Sequence, residues 1–301
     1  MLTQAAFSFI GTEIVAITAG EAMNPRRNLP KAIKKVYIRI LLFYIMGTFI
    51  IGIIVSSNNP DLGTSKDAKA SPFVIAIKAA GIKGLPSLIN ACLITSAWSA
   101  ASADLYTSSR ALYGIALNGD LPKIFTRTTK NGLPWFSLII ASLFSFLAYM
   151  GIGKGSGVVF GYLANMTAIA GLMSWLAISV TYIQFRRGYD AQGFDRSKLP
   201  YASPLAWYGA WYAIIMIVII SFFSAWNVFL KGEWDASVFV TNYLPLALFP
   251  CLFVAKKLIS KTSWRNIHDM DFLTNIPEIE AAYFEEPRKA TWYGRFGDAI
   301  F

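Results

Sequence analysis

The sequence predicts an all-α integral membrane protein, on three observations. The 301-residue chain is 55% hydrophobic and only 15% charged. Soluble domains carry about 25% charge, so too few polar residues are present to cover a solvated surface. Its apolar residues gather in runs of the roughly 18–20 residues that a helix needs to cross a bilayer core. The basic residues between those runs alternate from rich loops to poor ones. The short alternating strands of an outer-membrane barrel have no counterpart.

Seven spans are expected: Leu2–Ala19, Ile38–Val55, Leu85–Tyr106, Trp135–Ile152, Val158–Tyr182, Tyr208–Phe229 and Tyr243–Leu258. They contain Gly, Pro and Ser, which membrane helices tolerate where neighbours satisfy the backbone. Arg26, Arg27, Lys31, Lys34, Lys35 and Arg39 follow the first span. Arg110, Lys123, Arg127 and Lys130 follow the third, and Arg186, Arg187, Arg196 and Lys198 the fifth. Lys154 alone follows the fourth, Lys231 alone the sixth, and the loop Ser56–Gly84 dilutes its lysines over many residues. Basic loops face the cytoplasm, which puts the N-terminus outside and the C-terminal tail inside. The net charge of +10 therefore reports topology, and no nucleic-acid partner is expected.

Cys92 and Cys251 fall within spans, which argues against a disulfide framework. The lone His268 lies in a polar tail, and neither a metal nor a cofactor is expected. With no basic stretch ahead of the first span, a cleavable leader is not expected. Internal repeats and Gly-rich phosphate loops are not found, and no nucleophile–base or metal constellation appears in the spans. An enzyme is not expected.

The first span carries the most informative irregularity: Gly11, Thr12 and Glu13 interrupt an apolar run. An ionised carboxylate at such a depth costs about 2.5–3.5 kcal/mol on insertion scales. Membrane carboxylates therefore face a cavity, pair with a partner or take up a proton, since low dielectric disfavours the charged form. One reading gives Glu13 a part in a proton-coupled step; the other makes it a structural acceptor for neighbouring backbone. Gly11 permits the helix to break just before it, and a broken helix offers bare carbonyls and N–H groups to a charged solute.

The first span ends at Asn24–Pro25, because proline disfavours helix for its predecessor. Pro30 is expected to open a separate basic helix, "PKAIKKVYIRI", lying along the cytoplasmic interface. After a polar loop, "PFVIAIKAAG" is too short to span and reads as a short outer helix or lid. In the third span, Thr95, Ser99, Ser102, Tyr106 and Ser109 fall in one helical stripe. A hydroxyl stripe can line a water-filled path, and small residues can equally let helices pack closely. In the fifth span Asn165 is the one embedded amide, for which an interhelical hydrogen bond is expected. The tail from Lys256 onward is mixed and charged, and is expected to dock loosely or to serve regulation.

The stretch "AAFSFIGTEIVAITAGEAMNPRRNLPKAIKKVYIRILLFYIMGTFIIG" resembles the sixth and seventh transmembrane segments of fungal amino acid permeases, members of the amino acid–polyamine–organocation superfamily. "TSAWSAASADLYTSSRALYGIALNGDLPKIF" resembles the eighth segment. "VVFGYLANMTAIAGLMSWLAISVTYIQFRRGYDAQGFDRSKLPYASPLAWYGAWY" resembles the tenth and the loop into the eleventh. The likeness runs from Thr3 to about Lys261. It implies part of a twelve-helix secondary transporter with inverted repeats and a central site between broken helices. This chain would supply helices six to twelve, the first of them discontinuous.

The resemblance further implies residue roles. The backbone carbonyls of Phe7, Ser8 and Ile10 would receive the α-amino group of an amino acid substrate, with the Phe7 ring as a gate. Gly11 would supply the unwound turn, and Glu13 would couple it to a proton and to gating. Asp104, with Ser99, Ser102 and Asn165, would bear on selectivity. Where the family usually shows Asn–Ser, this chain reads Ser102–Ala103.

The first five helices of the family pattern are not in this sequence. With them goes the segment that holds the substrate carboxylate, so the expectation is a fragment that does not transport alone. The expected organisation is a membrane domain over residues 1–258 and a cytoplasmic tail over 259–301, most naturally in the plasma membrane. The resemblance also admits a permease-like sensor that reads amino acids without moving them.

Overall fold

The computed structural model describes residues 2–20, 22, 24–60, 62, 71–81, 84–150, 152, 155–274 and 276–281. Among these residues every regular element is helical. In chain order they are α1 (Leu2–Phe7), α2 (Ile14–Ile17), α3 (Pro25–Ile54), α4 (Pro72–Ala79) and α5 (Leu85–Leu117). Then follow α6 (Trp135–Leu143), α7 (Ser156–Ala191), α8 (Ala206–Phe222), α9 (Ala236–Ile259) and α10 (Ile276–Ala281), with short 3-10 turns between several of them. Among the described residues three helices are both long and apolar enough to cross a bilayer, over Pro25–Ile54, Gly157–Ala191 and Ala236–Ile259; Trp135–Met150 and Ala206–Phe222 are shorter apolar helices. Large apolar side chains cover their outer surfaces: Phe43, Phe49 and Ile53 of α3 are each more than 60% exposed, as suits residues that meet lipid. The protein is an all-α integral membrane protein.

The helix α3 overturns the expectation of a separate interfacial helix. Pro25 opens it, and it runs through Pro30 to Ile54 as one element of 30 residues. Proline suits the first position of a helix, where its missing N–H has no intrahelical partner. The Asn24 carbonyl takes the N–H groups of Arg27 and Asn28, each at 3.0 Å, which pins the start five residues earlier than expected. Thirty residues at about 1.5 Å each give a rod of about 45 Å, against a hydrocarbon core of about 30 Å. Its basic first turns therefore extend beyond the apolar stretch as part of the same rod.

The chain forms two compact units, one of Met1–Tyr37 with Gly161–Phe301 and the other of Ile38–Phe160. In the first, Ile169, Leu172 and Met173 of α7 make a buried core with Ile217 of α8, flanked by Ala6 and Trp175. Their spacing places them on one face of α7, and α1 packs on α8. Asp235 caps α9 by accepting from the N–H groups of Ser237 at 2.7 Å and Val238 at 3.2 Å. That cap starts the last long helix seven residues ahead of the expected span. The Tyr243 hydroxyl donates to the Phe222 carbonyl at 3.0 Å, satisfying an orphan acceptor at the end of α8.

In the second unit α5 lies against α6, and α4 packs on α5 as a short helix that buries Val74 and Ile75. Buried Ser137 donates to the Phe125 carbonyl at 3.2 Å. The hydroxyl stripe of α5 turns inward on its own backbone. Thr95 donates to the Cys92 carbonyl at 2.9 Å, Ser102 to Trp98 at 2.9 Å and Ser109 to Tyr106 at 2.8 Å. Such back-bonding engages the donors of these three hydroxyls locally and leaves their oxygens able to accept.

The described part of the tail around residues 267–272 is closely packed, not loosely docked. The Gln192 side-chain amide donates to the carbonyls of Ile267 at 3.0 Å and Met270 at 2.9 Å. The Phe272 ring meets Phe185, Tyr189 and Phe194 with centroids 5.4–5.7 Å away. Met270 and Phe272 lie over Gly188, where an added Cβ would approach the Met270 sulfur to 2.6 Å. Asp271 closes the next turn by accepting from the N–H groups of Leu273 and Thr274 and from the Thr274 hydroxyl. Those bonds, the Thr274 hydroxyl first, hold its carboxyl below the usual aspartate range. The turn is thus intact wherever Asp271 is ionised, and loosens as pH falls through that depressed value. Replacing Gly188 with Leu puts a side chain where the tail sits. Limited proteolysis of the Gly188→Leu variant is expected to cut residues 262–274 roughly tenfold faster, the signature of about 1.4 kcal/mol of lost local stability.

Candidate functional site

The first span is broken. After α1 stops at Phe7, the N–H groups of Ser8, Phe9 and Ile10 reach back three residues, to Ala5 at 3.1 Å, Ala6 at 3.0 Å and Phe7 at 3.3 Å. These tight turns lead to Gly11 at φ +99°, a left-handed conformation that side chains resist. Helix resumes at Ile14, whose N–H bonds the Gly11 carbonyl at 3.1 Å. Between the two pieces the carbonyls of Ser8 and Ile10 accept no hydrogen bond from the described residues.

Two residues of α7 hold the break open. The Trp175 indole N–H donates to Glu13 Oε2 at 2.9 Å, and the same oxygen takes the Gly11 N–H at 3.2 Å and the Thr12 hydroxyl at 3.4 Å. Glu13 therefore satisfies the N–H that the broken helix frees, and is itself tethered to a second helix. On the other side of Gly11, Ile10 presses on the bare backbone of Gly171. A Cβ there would stand 2.7 Å from Ile10 Cδ1 and 2.9 Å from Cγ1, closer than atoms can pack. Gly171 and Trp175 are four residues apart and share one face of α7. That face grips the chain before and after its unwound turn.

Of the other expected site residues, Phe7 ends α1 and is exposed. Asn165 is half-buried on α7, and its expected interhelical hydrogen bond is not made among the described residues. Ser99, Ser102 and Asp104 belong to the second unit and are exposed on α5. Asp104 makes no ion pair among the described residues, and Arg110 lies over the Tyr106 ring at 5.5 Å. The structure thus brings Ile10, Gly11 and Glu13 together with Gly171 and Trp175, two residues that the sequence reading missed. The signal was present in "GLMSW". A tryptophan inside an apolar span needs an acceptor for its N–H, and Glu13 was an acceptor in need of a donor. No group of three or more metal-binding side chains occurs among the described residues.

The arrangement places carbonyls that accept no hydrogen bond from the described residues on one side of a glycine and a hydrogen-bonded carboxylate on the other, inside the broken first span. Discontinuous helices of this kind are what secondary transporters use to meet charged solutes and coupling ions. Residues 1–269 match the family model described as amino acid permease, and the chain belongs to that family.

Similar proteins include the dicarboxylic amino acid permease of Saccharomyces cerevisiae, 40% identical over 272 residues, which cover 89% of this chain and 45% of the relative. The lysine-specific permease of the same yeast is 36% identical over 302 residues, 99% of this chain and 49% of the relative. A proline-specific permease of Emericella nidulans is 36% identical over 286 residues, 93% of this chain and 52% of the relative. The chain therefore spans about half the length of these relatives. No solved structure matches it.

Two substitutions separate the parts of the grip. Trp175→Phe keeps a ring but removes a hydrogen bond to a carboxylate, and is expected to cost about 1.5–3 kcal/mol. Gly171→Ala is expected to destabilise by displacing Ile10. The control Gly161→Ala, on the same helix with nothing within 4 Å of the new methyl, is expected to be neutral or slightly stabilising. Thermal unfolding of the purified chain in detergent ranks all three.

Proposed function

We propose that this chain is the part of an amino acid transporter that carries the broken sixth helix, and that the complete protein moves amino acids across the membrane by proton-coupled symport. The observation that carries the reading is the opened turn between Phe7 and Glu13, where the carbonyls of Ser8 and Ile10 accept no hydrogen bond from the described residues. Carbonyl oxygens suit an α-ammonium group, which brings donors and a positive charge. The three relatives are named for dicarboxylic amino acids, lysine and proline. Those substrates differ in side chain and share the α-amino acid unit, so a backbone-built site suits what they have in common.

On this reading Phe7, Ser8 and Ile10 receive the α-amino group, the Phe7 ring gates access and Gly11 provides the turn. Glu13 exchanges a proton during the cycle, and its bonds to Gly11 and Trp175 would carry a change of protonation into the backbone of the break and into α7. Asp104 acts on side-chain preference, with Ser99, Ser102 and Asn165 in supporting positions. A complete site also needs a partner half of five helices to hold the substrate carboxylate, so residues 1–301 alone do not transport. The membrane domain covers residues 1–258, with residues 259–301 as a cytoplasmic tail. The first span enters from outside, and the plasma membrane is the expected location.

The test is uptake of radiolabelled amino acids by transport-deficient cells expressing the chain, with and without a five-helix half from a related permease joined upstream. Uptake is expected only with that half present. In the joined protein Glu13→Gln is expected to abolish the response of uptake to an imposed pH gradient, and Gly11→Ala to reduce uptake at least tenfold. Transport by the chain alone, or unchanged pH-driven uptake in Glu13→Gln, contradicts the proposal. Asp104→Asn is expected to shift the ratio of basic to neutral amino acid uptake, and an unchanged ratio removes Asp104 from the site.

A further inference from the structure

The end of α7 and the loop into α8 form a second feature, within the first compact unit. Arg186 and Asp190 of α7, Arg196 in a 3-10 turn and Ser203 just before α8 line a cavity of about 110 Å³, with Phe185 and Tyr189 as aromatic wall. The loop is held to α7 at several points. Tyr189 stacks on Phe194 with centroids 5.0 Å apart, and its hydroxyl donates to the Asp195 carbonyl at 3.3 Å. The Asp195 side chain in turn caps the 3-10 turn by accepting from the Ser197 N–H. Arg196 is thereby brought to the same cavity as Arg186.

Arg186 is only partly provided for. Its Nε stands 3.6 Å from Asp190 Oδ2, an ion pair too long for a hydrogen bond, and its guanidinium lies over the Trp207 ring at 4.9 Å. Its Nη1 is buried and makes no hydrogen bond among the described residues. A ring face attracts the positive charge, but it gives a buried N–H no lone pair. An unsatisfied buried donor is costly, most of all on a charged group, and points to an ion or water as its partner.

We propose that this cavity binds a small oxyanion, inorganic phosphate, with Arg186 as its principal ligand and Arg196 as the second. Guanidinium groups present forked donors that match oxyanion oxygens, and bonds to an ionised acceptor are stronger than neutral ones. Arg196 and the Ser203 hydroxyl add donors from the loop, which suits a ligand with several acceptor oxygens better than a halide. Size sets an upper limit, because 110 Å³ is well below the roughly 300–1,000 Å³ of drug-sized sites. A phosphate group fits where a nucleotide does not. Binding also bears on the tail: Phe185 and Tyr189 meet the Phe272 ring with centroids 5.4 and 5.5 Å away. An anion that fixes the end of α7 steadies the surface on which the tail packs.

A phosphate group also ends some lipid headgroups, and two probes separate the sources. The 301-residue chain is placed in phosphatidylcholine nanodiscs, and its thermal unfolding is followed against inorganic phosphate, with potassium chloride at matched ionic strength as control. The measurement is repeated without phosphate in nanodiscs that contain phosphatidic acid. Free phosphate is expected to raise the unfolding midpoint saturably, as a ligand of the folded state must, and to slow proteolysis at residues 262–274. Arg196→Gln is expected to weaken apparent affinity about tenfold, through loss of a charge-assisted hydrogen bond. Asp190→Asn is expected to tighten it about threefold, because Asp190 repels an anion and engages Arg186; a misfolded variant does not give such a gain. The absence of a saturable shift overturns the proposal. So does either variant responding as the wild type does, which is what a general salt effect gives. A response to both probes keeps free phosphate as a ligand, and a response to phosphatidic acid alone assigns the site to the bilayer and overturns free phosphate.

Discussion

Everything distinctive about this protein depends on one close approach, that of Ile10 to the bare backbone of Gly171. A helix interrupted inside a bilayer frees peptide groups that have no water to bond, and each unsatisfied group costs several kcal/mol. The break persists because its surroundings leave the chain little alternative. Gly11 alone accepts the required backbone angle, Glu13 takes up the freed N–H, and α7 holds the residues on both sides. Filling the notch at Gly171 pushes Ile10 away from α7 while Glu13 stays tied to Trp175 one turn further on. The two anchor points act as a pair, because they occupy the same helical face.

Charge organises the other end of the first unit. The helices α3 and α7, at 30 and 36 residues, are longer than a bilayer core requires, and their surplus turns carry Arg26–Lys35 and Arg186–Arg187. Arg186 lies over the Trp207 ring at 4.9 Å and pairs with Asp190 at 3.6 Å, so part of that surplus charge is held within the fold. The tail closes on the same end through an aromatic cluster, the Gln192 amide and the Glu280 ion pair. Coupling free energies of 1–3 kcal/mol are within what these contacts can transmit if the tail is bound or released.

The periodicity of apolar residues made the helical membrane fold legible: each of the seven expected spans holds helix among its described residues, three of the helices are long and apolar enough to cross a bilayer, and the first span is broken. Gly11 followed by Glu13 in an apolar run made the break legible as well. What stayed hidden was pairing between distant parts of the chain. No local pattern links Ile10 to Gly171, because a glycine that accommodates a neighbour looks like any other glycine in a membrane helix. Trp175 was readable in principle, through the need of its N–H for an acceptor, but the choice among acceptors is tertiary. The Pro30 expectation failed because proline near a helix start is tolerated, and Asn24–Pro25 had already set the boundary. Loose docking was the wrong expectation for the stretch around residues 267–272, because the tail's charged composition conceals Met270 and Phe272, two residues that fit a specific notch.

The most direct test is solid-state NMR of the isotopically labelled chain in lipid bilayers, reading backbone chemical shifts from Ser8 to Ile14. The account requires a positive φ at Gly11, non-helical shifts for its neighbours, and a Trp175 indole N–H signal displaced by its bond to Glu13. Helical shifts running without interruption from Leu2 to Gly20, with an unperturbed indole, would contradict it.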